Sequence, residues 1–322
     1  MKAIFWNAEE HRLRAGWRVV LFGVLLLVTA IPAGFIREAD AGSLYTRLAT
    51  SQGLWMLLLL AATAFLARFV DRRPFSDYGL TRGPSWGLNL IFGLVLGAAM
   101  MGLVFGFELA VGWIRIKPAA ARWASEFHAV DLGLQVLLFA AVAVGEELTD
   151  RGYLLKNLAE GFNRGTGPSA GATLGAGLVG ALIFGLMHSG NESASVLTSL
   201  NIGVAGLFLG LGFLWTRSLA IPMGAHFSWN FFQGPIFGFP VSGENVGQTV
   251  FDIAQGGPVV MTGGTFGPEG GLLSTVVTLL GIGAIALWVR WREGAVRLRP
   301  EISCAPASRP AAPVEPAPTS LI

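Results

Sequence analysis

The sequence predicts an all-α protein, a polytopic membrane helix bundle with about eight transmembrane helices. Three observations predict this fold class. Charged residues make up only 13% of the 322 residues, about half of the roughly 25% found in soluble domains. Hydrophobic residues make up 53%, and the mean hydropathy is +0.60. Uncharged stretches of about 20 residues, the length that crosses a bilayer, recur along the chain.

The charge balance and the cysteine content exclude other classes of protein. The 22 basic and 20 acidic residues give a net charge of +2. A nucleic-acid-binding protein would show a basic excess, so we expect no nucleic-acid partner. The single cysteine, Cys304, excludes an intramolecular disulfide and a Cys-rich metal site.

Residues 1–130 predict an amphipathic N-terminal segment and three spans. Residues 19–36 and 48–67 contain no charge, which gives the first two spans. The third span begins near Trp86, and Glu108 is the charge within it. Glu108 lies near the predicted helix end, so we expect its carboxylate to reach the membrane interface.

Residues 131–237 predict the next four spans, helices four to seven, which hold the candidate catalytic core. Helical composition continues past the first charges at Glu146, so we expect one long fourth helix with charges in its middle. The fifth span ends at His188, the sixth covers 196–215, and the seventh covers 219–237.

Residues 238–299 predict an extracytoplasmic loop rich in Gly and Pro, followed by the eighth span at 272–289. Pro, Ala and Ser dominate residues 300–322, which predicts a disordered tail. Cytoplasmic loops retain Lys and Arg, and most of the 22 basic residues fall on one side if the N-terminus lies inside. We therefore expect a multi-pass protein of the inner (cytoplasmic) membrane with both termini in the cytoplasm.

Ionisable residues inside a span are costly, so each one is a functional candidate. Glu146, Glu147, Asp150 and Arg151 fall within six residues of the fourth helix. Glu147 and Arg151 are i,i+4 neighbours, so one face can carry a Glu–Arg pair while the adjacent face presents Glu146. The alternative is a solvated charge run on a helix that has already left the membrane.

Two histidines and an asparagine extend the set. His188 ends the fifth span, and His226 lies in the seventh with Asn230 at i+4. A His–Asn hydrogen bond that joins helices, worth about 1 kcal/mol, is the alternative for the second pair. A carboxylate and two imidazoles can hold a zinc ion with an open position for water. They can equally activate water directly, with the second His and Asn230 donating to an oxyanion. Both schemes hydrolyse an amide, and both need these groups to converge within about 6 Å of one point.

Three motifs in combination resemble the type II CAAX prenyl endopeptidase and bacteriocin-processing (CPBP, Abi) family of intramembrane proteases. They are Glu-Glu-x-x-x-Arg at 146–151, Phe-x-x-x-His at 184–188 and His-x-x-x-Asn at 226–230, within about 132–237.

The resemblance implies a membrane metalloprotease and a role for each motif residue. Glu146 would activate water or bind metal, with Glu147 and Arg151 as its supporting pair. His188 would assist the base or bind metal, and His226 and Asn230 would bind metal or the oxyanion. The implied cofactor is a divalent metal, zinc being the candidate, held by Glu146, His188 and His226. The implied partners are membrane lipid and a protein or peptide substrate with a lipidated or apolar end.

Two features depart from a simple match. Asp150 stands where the family commonly has an aromatic residue, so either extra water accommodates it or Arg151 pairs with Asp150 and releases Glu147. In plain helical hairpins, His188 and His226 would differ in depth by about 12 residues, or about 18 Å. We therefore expect a short sixth span and a re-entrant segment at 189–195 that lines a wet cavity.

Two other functions use the same polar cluster. A non-catalytic membrane scaffold or regulator would keep the motif residues as packing contacts. A small-solute or proton carrier would use the carboxylates and imidazoles as a relay. Carriers often contain inverted repeats, and the sequence shows none, which favours the protease.

Overall fold

Long apolar helices dominate the computed structural model, which describes residues 2–8, 10–39, 44–81, 83–117, 129–247 and 249–306. Among these residues, seven helices are long and apolar enough to cross a membrane. The protein is therefore a multi-pass, all-α membrane bundle, as its low charge content predicts.

The helices and strands follow one another in a simple order. The α-helices are α1 Lys2–Phe5, α2 Ala15–Ala39, α3 Leu44–Phe65, α4 Pro84–Ala110, α5 Ala129–Glu146, α6 Leu155–Phe162, α7 Ala170–Met187, α8 Val196–Thr216, α9 Ala220–Phe231, α10 Val259–Thr262 and α11 Leu272–Glu293. Segments of π-helix continue α3, α5 and α9 at Leu66–Val70, Glu147–Leu154 and Phe232–Ile236. Short 3₁₀ turns form at Phe75–Tyr78, Gly264–Phe266, Pro268–Gly270 and Pro300–Ser303. The strands form two antiparallel pairs, β1 Trp6–Asn7 with β2 Arg12–Leu13, and β3 Ile114–Ile116 with β4 Ile253–Gln255.

The predicted long fourth helix is confirmed. Helices α5 and α6 and the π-helix between them form one span, Asp131–Phe162, of 32 residues. The π-helix coincides with the charged cluster, and such insertions occur frequently at functional sites. Thr149 supports the widened turn because its hydroxyl donates to the carbonyl of Gly145 at 2.8 Å and that of Glu146 at 3.1 Å.

The hairpin of α7 and α8 differs from the prediction. Helix α8 has 21 residues and is a full candidate span, so the expectation of a short sixth span is wrong. Residues 189–195 form the turns between two full-length helices, and Gly190, Asn191 and Glu192 of this segment line the cavity described below, as predicted. Ser195 caps α8 by accepting a hydrogen bond from the Thr198 backbone at 3.2 Å.

The predicted seventh span, 219–237, forms a helix over nearly its whole length, but this helix is not among the seven candidate membrane spans. Helix α9 has 12 residues, and its π-helical continuation contains Pro235. Helix α9 packs closely on α4 at two glycines. A Cβ at Gly97 would overlap the carbonyl oxygen of Ala225, and one at Gly224 would lie 2.5 Å from the carbonyl oxygen of Leu90. This contact fixes α9, and with it His226, against the bundle.

A network that we call the arginine cluster closes the end of the bundle where α2 begins and α6 ends. Glu160 pairs with three arginines: Arg12 at 2.9 Å, Arg18 at 2.8 Å, and Arg73. Asp71 pairs with Arg18 at 3.4 Å and is not exposed. Asp71 also accepts hydrogen bonds of 2.9–3.0 Å from Tyr78, Tyr153 and Asn157.

The predicted disordered tail begins later than residue 300. Pro300–Ser303 form a 3₁₀ turn, and Ile302 and Cys304 are buried. Lys156, itself buried, donates to the carbonyl of Ile302 at 3.4 Å. The burial of Ile302 and Cys304 thus gives residues 300–304 a defined structure despite their composition. Residues 307–322 of the predicted tail lie outside the described residues.

Candidate active site

One cavity of about 540 Å³ gathers four of the six predicted site residues: Glu146, His188, His226 and Asn230. Its walls come from α3, α4, α5, α7, α8, α9 and α11, and residues 241, 242 and 244–246 of the long loop line its rim. Glu147 and Arg151 lie behind this wall, 0% and 3% exposed.

The buried carboxylate of Glu147 joins two of the motifs. Arg151 Nη1 donates to Glu147 Oε1 at 2.8 Å. His226 Nδ1 lies 2.8 Å from the same oxygen. Arg151 Nη2 also donates to the carbonyl of Gly206 on α8 at 3.3 Å, and its guanidinium stacks 4.2 Å from the ring centre of Phe184 on α7. One ion pair therefore fixes four helices around the site.

Asp150 does not displace Glu147 from this pair. Its Oδ2 lies 3.9 Å from Arg151 Nη1, compared with 2.8 Å for Glu147. The sequence left open whether Arg151 pairs with Glu147 or with Asp150, and the structure pairs it with Glu147. Asp150 lines the cavity instead.

Glu146 and His226 form the part of the site that faces the cavity. Because Nδ1 of His226 bonds to Glu147, its Nε2 is the nitrogen that faces Glu146. Glu146 Oε2 lies 3.9 Å from this Nε2. The Glu146 side chain is 17% exposed, so it can meet a molecule that enters the cavity.

His188 belongs to the same cavity but lies further along α7. Its Nδ1 lies 2.8 Å from the carbonyl oxygen of Phe184, which is one turn earlier. The Phe184 ring centre is 4.8 Å from that of His188 and 6.4 Å from that of His226. His188 and His226 therefore line one cavity, and the ring of Phe184 lies near both of them.

The predicted metal ligands are not arranged as a set. Among the described residues, no group of three or more His, Cys, Asp or Glu side chains is placed to hold a metal ion. Glu146 and His226 face each other, whereas His188 turns one nitrogen to a backbone carbonyl. The zinc site of Glu146, His188 and His226 stays a prediction.

Three carboxylates that the motifs did not indicate also line the cavity: Glu192, Glu244 and Glu269. They lie in the turn after α7 and in the long loop. Glu269 accepts hydrogen bonds from the Ser242 backbone at 2.5 Å and from the Gln233 side chain. Burial raises the pKa of Glu269 to about 7. Gly- and Pro-rich composition predicts a loop and gives no signal that its acids reach the site.

Glu108 does not extend outward from its helix end as expected, but turns into the protein. Its side chain is fully buried, and it accepts a hydrogen bond from Gln255 of β4 at 3.2 Å. The partner is 147 residues away in the chain, and the folded loop brings it to the end of α4.

Comparison with known proteins agrees with the motifs. Residues 128–232 match the family model described as Type II CAAX prenyl endopeptidase Rce1-like. The matched segment runs from the start of α5 into the π-helix after α9 and contains all six predicted site residues. The resemblance predicted from the three motifs is therefore confirmed for this segment. No curated protein and no solved structure matches the chain significantly.

Proposed function

We propose that the protein is an intramembrane endopeptidase that hydrolyses a peptide bond near the membrane-embedded or carboxyl-terminal end of its substrate. The observation that carries this proposal is the placement of His226 between two glutamates, 2.8 Å from Glu147 and 3.9 Å from Glu146. The family match over residues 128–232 supports the same type of activity.

Glu146 acts as the general base. A gap of 3.9 Å between Glu146 Oε2 and His226 Nε2 is longer than a hydrogen bond and allows one water to contact both. The carboxylate takes a proton from this water, and the water oxygen attacks the carbonyl carbon of the scissile bond. The proton then passes from Glu146 to the leaving amine nitrogen as the C–N bond breaks.

Glu147 and Arg151 act as positioning residues. The Nδ1–H of His226 donates to Glu147, which leaves Nε2 directed at the water. Arg151 balances the buried charge of Glu147, because an unpaired carboxylate at this depth would be costly. The pair therefore fixes both the orientation and the tautomer of His226.

Asn230 and His188 stabilise the oxyanion. The amide of Asn230 donates without a change of protonation. Nδ1 of His188 is committed to the carbonyl of Phe184, so its Nε2 donates only when the imidazole is protonated. This difference makes Asn230 the donor that is present at every pH and His188 the donor that requires a proton.

A divalent metal is the second form of the same proposal. Glu146 and His226 present an oxygen and a nitrogen to the same space, which supplies two ligands of a metal that would activate the water. His188 would have to turn to complete the set.

The substrate is a protein or peptide whose apolar or lipidated end lies in the membrane. Apolar side chains of α3 and α5, among them Trp55, Leu59 and Phe139, line the cavity and suit such an end. We place the enzyme in the inner membrane with both termini in the cytoplasm, which the distribution of basic residues in the sequence supports.

Cleavage of a membrane-anchored fluorogenic peptide by the protein in lipid nanodiscs tests the proposal. We expect Glu146→Gln and His226→Ala to lower kcat/KM by a factor of about 100 or more. We expect Asn230→Ala to lower kcat by a factor of about 100. Metal analysis of the same samples distinguishes direct activation of water by Glu146 from activation by a bound metal. Zinc that is bound to the wild type and lost in Glu146→Gln would support the metal-dependent mechanism.

Glu108→Gln is the matched control. Glu108 is also a buried glutamate of a spanning helix, but it does not line the cavity. The Glu108→Gln variant should therefore cleave the peptide at the rate of the wild type. Equal cleavage by the wild type and the Glu146 and His226 variants would refute the protease and leave the scaffold or carrier.

A further inference from the structure

The charged residues that line the cavity are all acidic, apart from two histidines. They are Glu146, Asp150, Glu192, Glu244 and Glu269. Among the described residues, no Lys or Arg lines this cavity. Arg151 directly follows Asp150 in the sequence, but its guanidinium does not line the cavity because it is buried against Phe184 and Gly206.

Asp150 is the acid whose surroundings point to a ligand. It is only 5% exposed, and neither of its carboxylate oxygens has a hydrogen-bond partner in the protein. Arg151 Nη1, at 3.9 Å, already donates to Glu147. A buried carboxylate without hydrogen-bond donors is costly. A cationic group that enters from the cavity would give Asp150 the donors and the positive charge that the protein itself does not provide.

Glu192 and Glu244 place further negative charge at the rim. Asn191 donates to the carbonyl of Ser242 at 3.1 Å, which ties the turn after α7 to the turn of the long loop. Gly243, with a φ of 89°, packs its backbone against the carbonyl of Glu192. The two carboxylates are therefore held by adjoining turns, and acidic residues around a cleft raise the local concentration of cations.

From this charge distribution we propose that the cavity binds a basic side chain, Lys or Arg, of the substrate next to the scissile bond. This inference rests on the proposed protease function and narrows its substrate class. Asp150 receives the cation, since it lies at i+4 from Glu146 and thus beside the water-activating group. The acids of the rim attract the cation from solution.

Three membrane-anchored peptides test the inference. They are identical except for one residue beside the scissile bond, which is Lys, norleucine or Glu, and each is assayed with the protein in nanodiscs. We expect kcat/KM to be about tenfold higher for Lys than for norleucine and lowest for Glu. The preference should weaken as salt rises, because charges at the rim are screened.

Two variants assign the preference to the named acids. Asp150→Asn should reduce the ratio of Lys to Glu cleavage about tenfold. Glu192→Gln with Glu244→Gln at the rim should reduce it by a smaller factor and abolish its salt dependence, and this variant remains informative if Asp150→Asn does not fold. Glu108→Gln should keep the wild-type ratio.

The outcomes separate the two proposals. Equal cleavage of the three peptides, or a preference for Glu, would overturn the basic-residue inference and leave the protease intact. Cleavage of none of the three by the wild type would refute the protease and the inference with it.

Discussion

At the scale of single residues, the buried ion pair depends on Glu147. Its carboxylate is fully buried and bonds to both Arg151 and His226. A buried ion pair is weak evidence for stability when intact, but the loss of one partner is strongly destabilising. We therefore expect Arg151 to be needed for folding as well as for the proposed catalysis.

Arg151→Ala should lower the free energy of unfolding by about 3–5 kcal/mol, because it leaves the Glu147 charge buried without its cation. Arg151→Lys should recover part of this loss but not all, since an ammonium group cannot bond to Glu147 and Gly206 while stacking on Phe184. Denaturant unfolding in detergent micelles measures both.

Lys117→Ala provides the comparison. Lys117 pairs with Asp252 at 2.8 Å, but both side chains are about half exposed. Exposed pairs contribute about 0–1 kcal/mol, so this change should be small. Equal losses for Lys117→Ala and Arg151→Ala would contradict the structural role of the buried pair.

Motif residues were predictable from sequence because their spacing matches helical geometry. Glu147 and Arg151 are i,i+4 neighbours, and the structure pairs them. The bond of Glu147 to His226 on another helix was not predicted, because spacing along the chain gives no distance between helices and the resemblance assigned His226 to a metal or the oxyanion. Glu192, Glu244 and Glu269 were not predictable, because only the folded loops bring them to the cavity.

At the scale of elements, gaps between charges predicted all seven candidate spans, because charged side chains are expelled from the bilayer. They did not predict the π-helix at Glu147–Leu154, since one extra residue in a turn leaves composition unchanged. They also predicted a further span at 219–237, where α9 and its π-helical continuation form a helix that is not among the seven candidate spans. The absence of charge therefore predicts a helix here but does not by itself identify a membrane span.

The close contact between α4 and α9 positions His226, and substitution of a glycine in this contact tests that role. Gly97→Ala should displace α9, because the new Cβ would overlap the Ala225 carbonyl and the Ser228 hydroxyl. We expect a loss of about 1–3 kcal/mol in stability and reduced peptide cleavage, since His226 lies on the displaced helix.

Gly102→Ala on the same helix is the control. A Cβ at Gly102 meets no atom within 4 Å, so the change should be neutral or stabilise α4 by about 0.5–1 kcal/mol. Thermal unfolding and the cleavage assay report on both variants. If Gly102→Ala were as damaging as Gly97→Ala, an added methyl group would be harmful elsewhere on α4 too, and the α4–α9 contact would not be the cause.

At the scale of the whole molecule, the cavity and the arginine cluster lie at different levels of the bundle. His188 and residues 241, 242 and 244–246 line the cavity near the carboxyl end of α7. The arginine cluster lies where α6 ends, shortly before α7 begins. The orientation proposed for the membrane therefore opens the cavity away from the cytoplasm.

Cysteine labelling on intact cells tests this orientation. Gly167 and Gly190 are exposed at opposite ends of α7, and a Cβ at either meets no neighbouring atom. A membrane-impermeant maleimide should label Gly190→Cys and leave Gly167→Cys unlabelled. The native Cys304 is buried and should give little background, which Cys304→Ser checks. Labelling of Gly167→Cys alone would reverse the orientation.

The arginine cluster also has a consequence for the time course of synthesis. Arg12 leaves the ribosome 148 residues before its partner Glu160, which corresponds to roughly 7–30 s of translation. Through that interval Arg12 and Arg18 have no Glu160 to neutralise them and must remain in water. This end of the protein can therefore close only after the fourth spanning helix has been made, whatever the order in which the earlier helices enter the membrane.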